Sequence, residues 1–355
     1  MRDRPVRWPL ALLAPAVAVA LLAGVAGGLM RAGVALPPAG DWLGEAAVAH
    51  AFLMVCCVLG TVIAIERAVA LKAALCFAGP LASGLAGIAQ LGGAGQAAAW
   101  LVVAASLAFV AVNAALVRRQ RAAHTVLLLL GALCWAVGSL GYALAAPVSE
   151  LPWWFAFLVL TIAAERLEMT RLMRRRPGAQ SALYAILGAL LLGAAASGVL
   201  YGLALAALAV WLLVFDIARR TVHARGLSRY MAVCLLLSYG WLLVAGLAWA
   251  TTSAGWPYRD AALHGLALGF ITGMVFGHAP VILPAIARIK LRFGWAWYLP
   301  LTTLHASLVL RLFGGELGAG AAGNALALAA FIATVAGAAL AWHLKFKDPH
   351  GLDPS

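Results

Sequence analysis

The chain has 355 residues, of which 65% are hydrophobic and 10% are charged, and its mean hydropathy is +0.98. An average soluble domain carries about 25% charged residues, so this composition excludes an ordinary soluble protein. The five cysteines form no C-x-x-C spacing, and all fall within or at the edge of predicted helices. This placement excludes a disulfide framework and a cysteine-based zinc site.

Apolar segments of about 20 residues recur along the sequence, and each can cross the roughly 30 Å hydrocarbon layer as a helix. We therefore predict an all-α polytopic membrane protein, with residues 1–355 forming a single transmembrane helical bundle domain. The twelve predicted spans are residues 9–30, 45–66, 73–92, 97–117, 123–146, 151–170, 181–197, 199–218, 229–251, 259–287, 297–313 and 320–344. The seventh and eighth are nearly continuous, with Gly198 and Gly202 as candidates for a turn, so eleven spans are the alternative.

Basic residues alternate between the predicted loops. All but Arg31, Arg259 and Arg311 of the 25 lysines and arginines fall on one side of the predicted bundle. Because cytoplasmic loops carry an excess of Lys and Arg, we expect both termini in the cytoplasm and the chain in a bacterial inner membrane. Membrane topology thus explains the net charge of +13, and lipid rather than nucleic acid is the expected partner.

The tenth predicted span carries four glycines at four-residue spacing: Gly265, Gly269, Gly273 and Gly277. Small residues at this spacing let a neighbouring helix backbone approach closely. We expect this face to pack against another helix, on the side of the span opposite to His264.

Four of the eight histidines fall inside predicted spans and away from their cytoplasmic ends: His50, His264, His278 and His305. Ionisable groups in a membrane are costly and usually face the bundle interior with a partner. His50 and His264 are predicted at similar depths near the outer side and can face each other. On a regular α-helix, His278 lies about 21 Å beyond His264 and only about 40° round from it. His305 is predicted somewhat nearer mid-membrane than His278, and a second pair is geometrically possible.

Neutral imidazole is an axial ligand of haem iron, and the flat macrocycle takes one ligand on each side. The outer pair, His50 and His264, is therefore predicted to hold haem. For His278 and His305 three roles remain open: a second haem, a copper or other metal site, or a proton relay. The alternative for all four is a polar interior histidine that is hydrogen-bonded to its helix neighbours.

Other side chains near the outer pair have two interpretations each. Arg259 and Arg311 are the basic residues near it and would contact haem propionates, although snorkelling from a helix end explains them equally well. Met54 and Cys57 follow His50 at helical spacing and can bind copper, but core packing is the more common role of such residues.

The segments His50–Gly60 and His264–His278 resemble the corresponding helices of the NnrS family. Members of that family are twelve-span bacterial membrane proteins with haem and copper, linked to nitric oxide and denitrification stress. The overall helical arrangement of the NnrS family is similar to that of subunit I of the haem–copper oxidases, whose low-spin haem is held by histidines of helices two and ten. The resemblance implies that His50 and His264 ligate a haem b, that copper is a further cofactor, and that nitric oxide or a redox partner interacts with the protein.

The sequence departs from the NnrS pattern after His278, where Ala279-Pro280-Val281-Ile282-Leu283-Pro284 replaces the expected threonine, glycine and arginine. This difference indicates a sister family. The resemblance to the haem–copper oxidases implies about six histidine ligands for an oxygen or nitric oxide reductase of that type, so four intramembrane histidines disfavour that enzyme. We expect a haem-binding protein that handles or senses nitrogen oxides or passes electrons, and whether it is an enzyme stays open.

A proton-coupled transporter is the main alternative. In that interpretation His278 and His305 titrate within the membrane, together with the acidic residues Glu66, Glu165 and Asp216. These carboxylates are predicted only at cytoplasmic helix ends, and Glu66 and Glu165 each precede an arginine, which predicts local ion pairs. An accessory subunit of a larger complex is a third interpretation.

Overall fold

The computed structural model describes residues 7–346, apart from 39, 72, 148, 170–176 and 288. Every regular element in this part of the chain is helical, which confirms the predicted all-α class. Several basic residues used to orient the predicted bundle lie outside the described residues: Arg2, Arg4, Lys72, those at 170–176, Arg288 and Lys347. The cytoplasmic location of the termini therefore stays a prediction.

The chain divides into two compact units, Met1–Tyr201 and Gly202–Ser355. The elements of the first unit are α1 (Arg7–Arg31), α2 (Trp42–Val48), the π-helix π1 (Phe52–Gly60), α3 (Thr61–Leu71), a 3-10 helix (Ala74–Phe77), α4 (Ala78–Leu91), α5 (Gly95–Arg119), α6 (Ala123–Ala143), α7 (Leu151–Met169) and α8 (Ala179–Ala196). The boundary falls within α9 (Gly198–Phe215). The remaining elements of the second unit are α10 (Ala218–Thr221), α11 (Gly226–Ser253), α12 (Arg259–His264), the π-helix π2 (Gly265–Thr272), α13 (Gly273–Ala287), a 3-10 helix (Trp295–Trp297), α14 (Tyr298–Phe313) and α15 (Leu317–Phe346).

In the first unit, consecutive helices pack as hairpins: α4 against α5, α5 against α6, and α6 against α7. Short connections make consecutive helices antiparallel neighbours, and Gly93, with φ +78°, supplies the left-handed residue that turns α4 into α5. Aromatic rings fill the centre, with Trp135 stacked on Phe157 at 5.1 Å between centroids. Helix α1 lies against α2, π1 and α4, so it borders the segment that carries His50.

In the second unit, α11 packs along α12, π2 and α13, and the glycine ladder forms that contact. A Cβ added at Gly265, Gly269, Gly273 or Gly277 would meet, in that order, Ala245, Trp241, Ser238 or Cys234. These four neighbours follow one another at three- or four-residue spacing on α11. The predicted packing role of the glycines is therefore confirmed.

Ten helices in the described part of the chain are long and apolar enough to cross a membrane, so the protein is a polytopic helical membrane protein. The predicted spans 151–170 and 297–313 are also helical but lie outside this set. Helix α7 carries three charged residues near its end, and α14 has only 16 residues. Helices α8 and α9 are separate, as predicted, because Ser197 is extended (φ −157°, ψ 110°). The break thus precedes Gly198 and Gly202.

We expect Gly269→Ala to lower the free energy of unfolding by about 1–3 kcal/mol, because overpacking costs about that much and the new methyl would overlap the Trp241 side chain. The matched control is Gly240→Ala on α11, where an added Cβ meets nothing within 4 Å. Alanine is the better helix former, so the control should be neutral or stabilising. Thermal unfolding in detergent measures both, and equal midpoints would contradict close packing at Gly269.

Candidate functional site

Two π-helical segments begin directly after two of the predicted ligand histidines. In the first unit π1 starts two residues after His50, and in the second unit π2 starts immediately after His264. π-helical turns are rare and are found frequently at functional sites. The recurrence marks both histidines as special positions, and sequence periodicity did not predict it.

The ring of His50 is held by helix α1. Its Nδ1 lies 2.7 Å from the carbonyl oxygen of Gly24. A carbonyl only accepts a hydrogen bond, so Nδ1 carries the proton, and the lone pair of the neutral ring is on Nε2. Gly28 lets the ring lie against α1, since a Cβ there would come 2.7 Å from Cε1 of His50. Nε2 is therefore the nitrogen of His50 that has ligand character.

His264 is held by Asp260, which lies one helical turn earlier on α12. The Nδ1 atom of His264 is 2.7 Å from Oδ1 of Asp260. Arg311 of α14 binds the same carboxylate through two nitrogens, Nε to Oδ2 and Nη2 to Oδ1, each at 2.8 Å. The ionised carboxylate accepts from His264 as well as from Arg311, so Nδ1 again donates and Nε2 carries the lone pair.

Arg311 also touches the imidazole ring itself. Its Nη2 is 3.2 Å from Nδ1 and 3.3 Å from Nε2 of His264. The lone pairs and N–H bonds of the two ring nitrogens point in diverging directions within the ring plane. Because Nη2 of Arg311 is almost equally far from both nitrogens, it lies over the face of the ring and is not aligned with either nitrogen. The predicted contact between Arg311 and a haem propionate stays a prediction, and the structure adds the pair with Asp260. Arg259, the other predicted contact, is the exposed first residue of α12.

The two inner histidines differ in their hydrogen bonds. Nδ1 of His278 lies 2.7 Å from the carbonyl oxygen of Met274 on its own helix, so Nδ1 donates and Nε2 carries the lone pair. For His305 the arrangement is reversed, because the indole nitrogen of Trp241, 2.8 Å from Nδ1, can only donate. The planes of the two rings are nearly parallel, 8° apart. The proton of His305 is then on Nε2, which is buried without a hydrogen-bond partner among the described residues.

The possible pairing of His278 with His305 stays a prediction, because the described contacts place the two rings only relative to α13. The His305 ring approaches Gly273, where its Cε1 would be 3.8 Å from an added Cβ. His278 follows Gly273 by five residues, which is about 140° round an α-helix. His305 is also the least suited of the four to bind a metal, since its accepting nitrogen is already engaged with Trp241.

The common stripe expected for His264 and His278 assumed a regular α-helix between them. π2 occupies eight of the intervening residues, and its i→i+5 bonding turns the chain less per residue than an α-helix does. The angle of about 40° calculated for a regular α-helix therefore does not apply to this pair. The same correction applies to the spacing of Met54 and Cys57, both within π1.

Met54 and Cys57 both pack against glycines of the first unit: a Cβ at Gly24 would come 2.7 Å from Sδ of Met54, and one at Gly87 would come 3.7 Å from Sγ of Cys57. Close packing is therefore what the structure shows for these two sulfur atoms. In the part of the chain that the structure describes, no group of three or more His, Cys, Asp or Glu residues is arranged to hold a metal ion. Copper at this position stays a prediction.

The acidic residues Glu66 and Glu165 share one arginine. Arg67 lies 2.8 Å from Glu165 and 3.7 Å from Glu66. The pair with Glu66 is the local contact that the sequence predicts, whereas the shorter pair joins α3 to α7. Because Arg67 and Glu165 are 14% and 27% exposed, this cross-helix pair is largely removed from solvent.

We expect Arg67→Met and Glu165→Gln each to lower the free energy of unfolding by about 1–3 kcal/mol. The first leaves the largely buried Glu165 without this cation, and the second leaves Arg67 only the more distant Glu66. The double variant should lose less than the sum, with a coupling energy of about 0.5–3 kcal/mol. Glu168→Gln is the control, because its carboxylate is 45% exposed and its contact with His124 is long, at 3.8 Å, so its loss should matter little. Strict additivity in thermal unfolding would contradict a stabilising pair.

Residues 7–340 match the model of the family described as Domain of unknown function (DUF8744), and the chain belongs to this family. No curated protein and no solved structure matches the chain. The resemblance to the NnrS family thus rests on the two histidine segments alone.

Proposed function

We propose that this member of the DUF8744 family is a haem-binding protein of the bacterial inner membrane and that His50 and His264 each ligate haem b through Nε2. The observation that carries the proposal is the hydrogen bonding of the two rings. Each donates Nδ1–H over 2.7 Å to a fixed oxygen, that of Gly24 or of Asp260. Histidines that ligate metals almost always donate their other ring N–H to a carbonyl or carboxylate, which fixes the tautomer and the ring orientation.

The same criterion ranks the inner histidines. His278 also donates from Nδ1 and is the candidate for a ligand of a second haem or of copper. His305 has the opposite tautomer because Trp241 donates to it. Three suitable histidines fall short of the roughly six that a haem–copper reductase needs, so the proposed function is not that of a standard oxygen or nitric oxide reductase.

Bound haem would supply an iron centre that exchanges one electron or binds nitric oxide. The residues of this chain hold the ligand rings and keep their protons on Nδ1. From the resemblance to the NnrS family we propose nitric oxide, another nitrogen oxide or a redox partner as the interacting species. The physiological setting would then be denitrification or its stress response.

A proton-coupled transporter is the second candidate. The observation in its favour is the charged group Asp260–Arg311–His264, because Asp260 and His264 lie in a candidate span, where ionisable clusters often mark transport pathways. Uptake driven by a pH gradient, in proteoliposomes that contain no pigment, would favour this function over haem binding.

We expect the full-length protein from haem-replete cells to be coloured, with a Soret band. His50→Ala and His264→Ala should each reduce haem affinity by at least about tenfold, since even second-shell losses cost 10–100-fold. His305→Ala should keep the pigment, and His223→Ala, in a loop, is the control. An absorption spectrum with a haem assay decides. A colourless wild type, or pigment that persists in both ligand variants, would overturn the proposal.

A further inference from the structure

We propose that Asp260 and Arg311 are positioning residues that set the electron-donating strength of His264, and this inference rests on the proposed role of His264 as a haem ligand. Neither residue was singled out for this role by the sequence. Asp260 fixes the imidazole tautomer, while Arg311 fixes Asp260 and compensates its charge.

Asp260 is held in one orientation by its two partners. Oδ1 accepts from Nδ1 of His264 at 2.7 Å and from Nη2 of Arg311 at 2.8 Å, while Oδ2 accepts from Nε of Arg311 at 2.8 Å. A bidentate arginine–carboxylate contact adds geometric specificity to its energy. Rotation of the carboxylate about its axis would break these contacts. Because the carboxylate is fixed, its hydrogen bond also fixes the direction of the His264 ring.

Arg311 is in turn fixed by the packing of α14 on α15. A Cβ at Gly320 would come 2.6 Å from Cα of Arg311, so the two backbones touch at this level. One turn away, Asn324 donates to Oγ of Ser307 at 2.7 Å in a buried bond between the same two helices. The Arg311 side chain is only 9% exposed. Its guanidinium group is therefore part of the packed structure and not a mobile surface group.

The charges of the pair balance. A carboxylate behind a ligating imidazole raises the basicity of the ring, whereas the guanidinium of Arg311 both neutralises that carboxylate and faces the ring. Removing Asp260 leaves an uncompensated cation beside the ligand, which disfavours ferric iron. Removing Arg311 leaves an uncompensated anion, which favours ferric iron. The two losses should therefore shift the midpoint potential in opposite directions.

The test compares full-length wild type with Asp260→Asn, Arg311→Met and the double variant in a spectroscopic redox titration. We expect Asp260→Asn to raise the potential and Arg311→Met to lower it, each by about tenfold in the reduction equilibrium, or about 59 mV for one electron. The double variant should lie between them, and Asp260→Glu should return towards wild type. Glu316→Gln removes an exposed carboxylate from the turn after α14 and is the matched control.

Shifts of the same sign in both single variants, or shifts no larger than that of Glu316→Gln, would overturn the inference while haem binding stands. A second measurement does not depend on haem: nitrogen-15 NMR of labelled histidine in the apoprotein reports the tautomer. We expect His264 to carry its proton on Nδ1 in the wild type and to lose that preference in Asp260→Leu. An unchanged tautomer would overturn the inference even if haem binds. A wild type without haem would overturn the proposed function and the redox part of the inference, while the tautomer would still test the positioning of His264 by Asp260.

Discussion

The bidentate pair between Arg311 and Asp260 is the interaction on which the arrangement around His264 depends. An ion pair inside a membrane protein stabilises little by itself, because desolvation offsets most of the Coulomb attraction. Its effect is geometric, since both oxygens of the carboxylate are engaged and one of them also orients the histidine. Arg311 on α14 therefore positions the polar groups around His264. The sequence around Arg311 does not indicate that its partner is Asp260.

Close helix packing makes these contacts reachable. The glycine ladder brings α11 against π2 and α13, and the same approach places Trp241 beside both Gly269 and His305. On the other side of the unit, Gly320 brings α15 against the backbone of Arg311. In a membrane, where burial of apolar surface does not favour one helix contact over lipid, small residues and such polar contacts are what define the arrangement. Substitutions at these glycines should therefore act on the site as well as on stability.

Sequence patterns that repeat along one helix were predictive, and contacts between distant residues were not. Hydropathy located the helices, and the four-residue spacing of glycines identified the contact with α11, because both follow from local periodicity. Asp260 could have been found from its place four residues before His264, a spacing that puts both on one helix face. Arg311 is 51 residues from Asp260 and Trp241 is 64 residues from His305, so those partners become visible only in three dimensions. The two π-helical segments were not predicted either, and within them residues cannot be placed round the axis at 100° each.

The tautomers rank the four histidines as metal ligands. The free-energy cost of changing the hydrogen bonds of His305 gives the size of the difference in affinity. For His305 to bind a metal through Nδ1 it must release Trp241, at a cost of about 1–3 kcal/mol for the indole N–H left buried without an acceptor. Binding through Nε2 would instead require that nitrogen to lose its proton. His50, His264 and His278 do not bear the cost of changing tautomer, because each already donates from Nδ1. A difference of about 1–3 kcal/mol corresponds to a factor of roughly 5–150 in affinity, so a limited supply of haem or metal would occupy those three before His305.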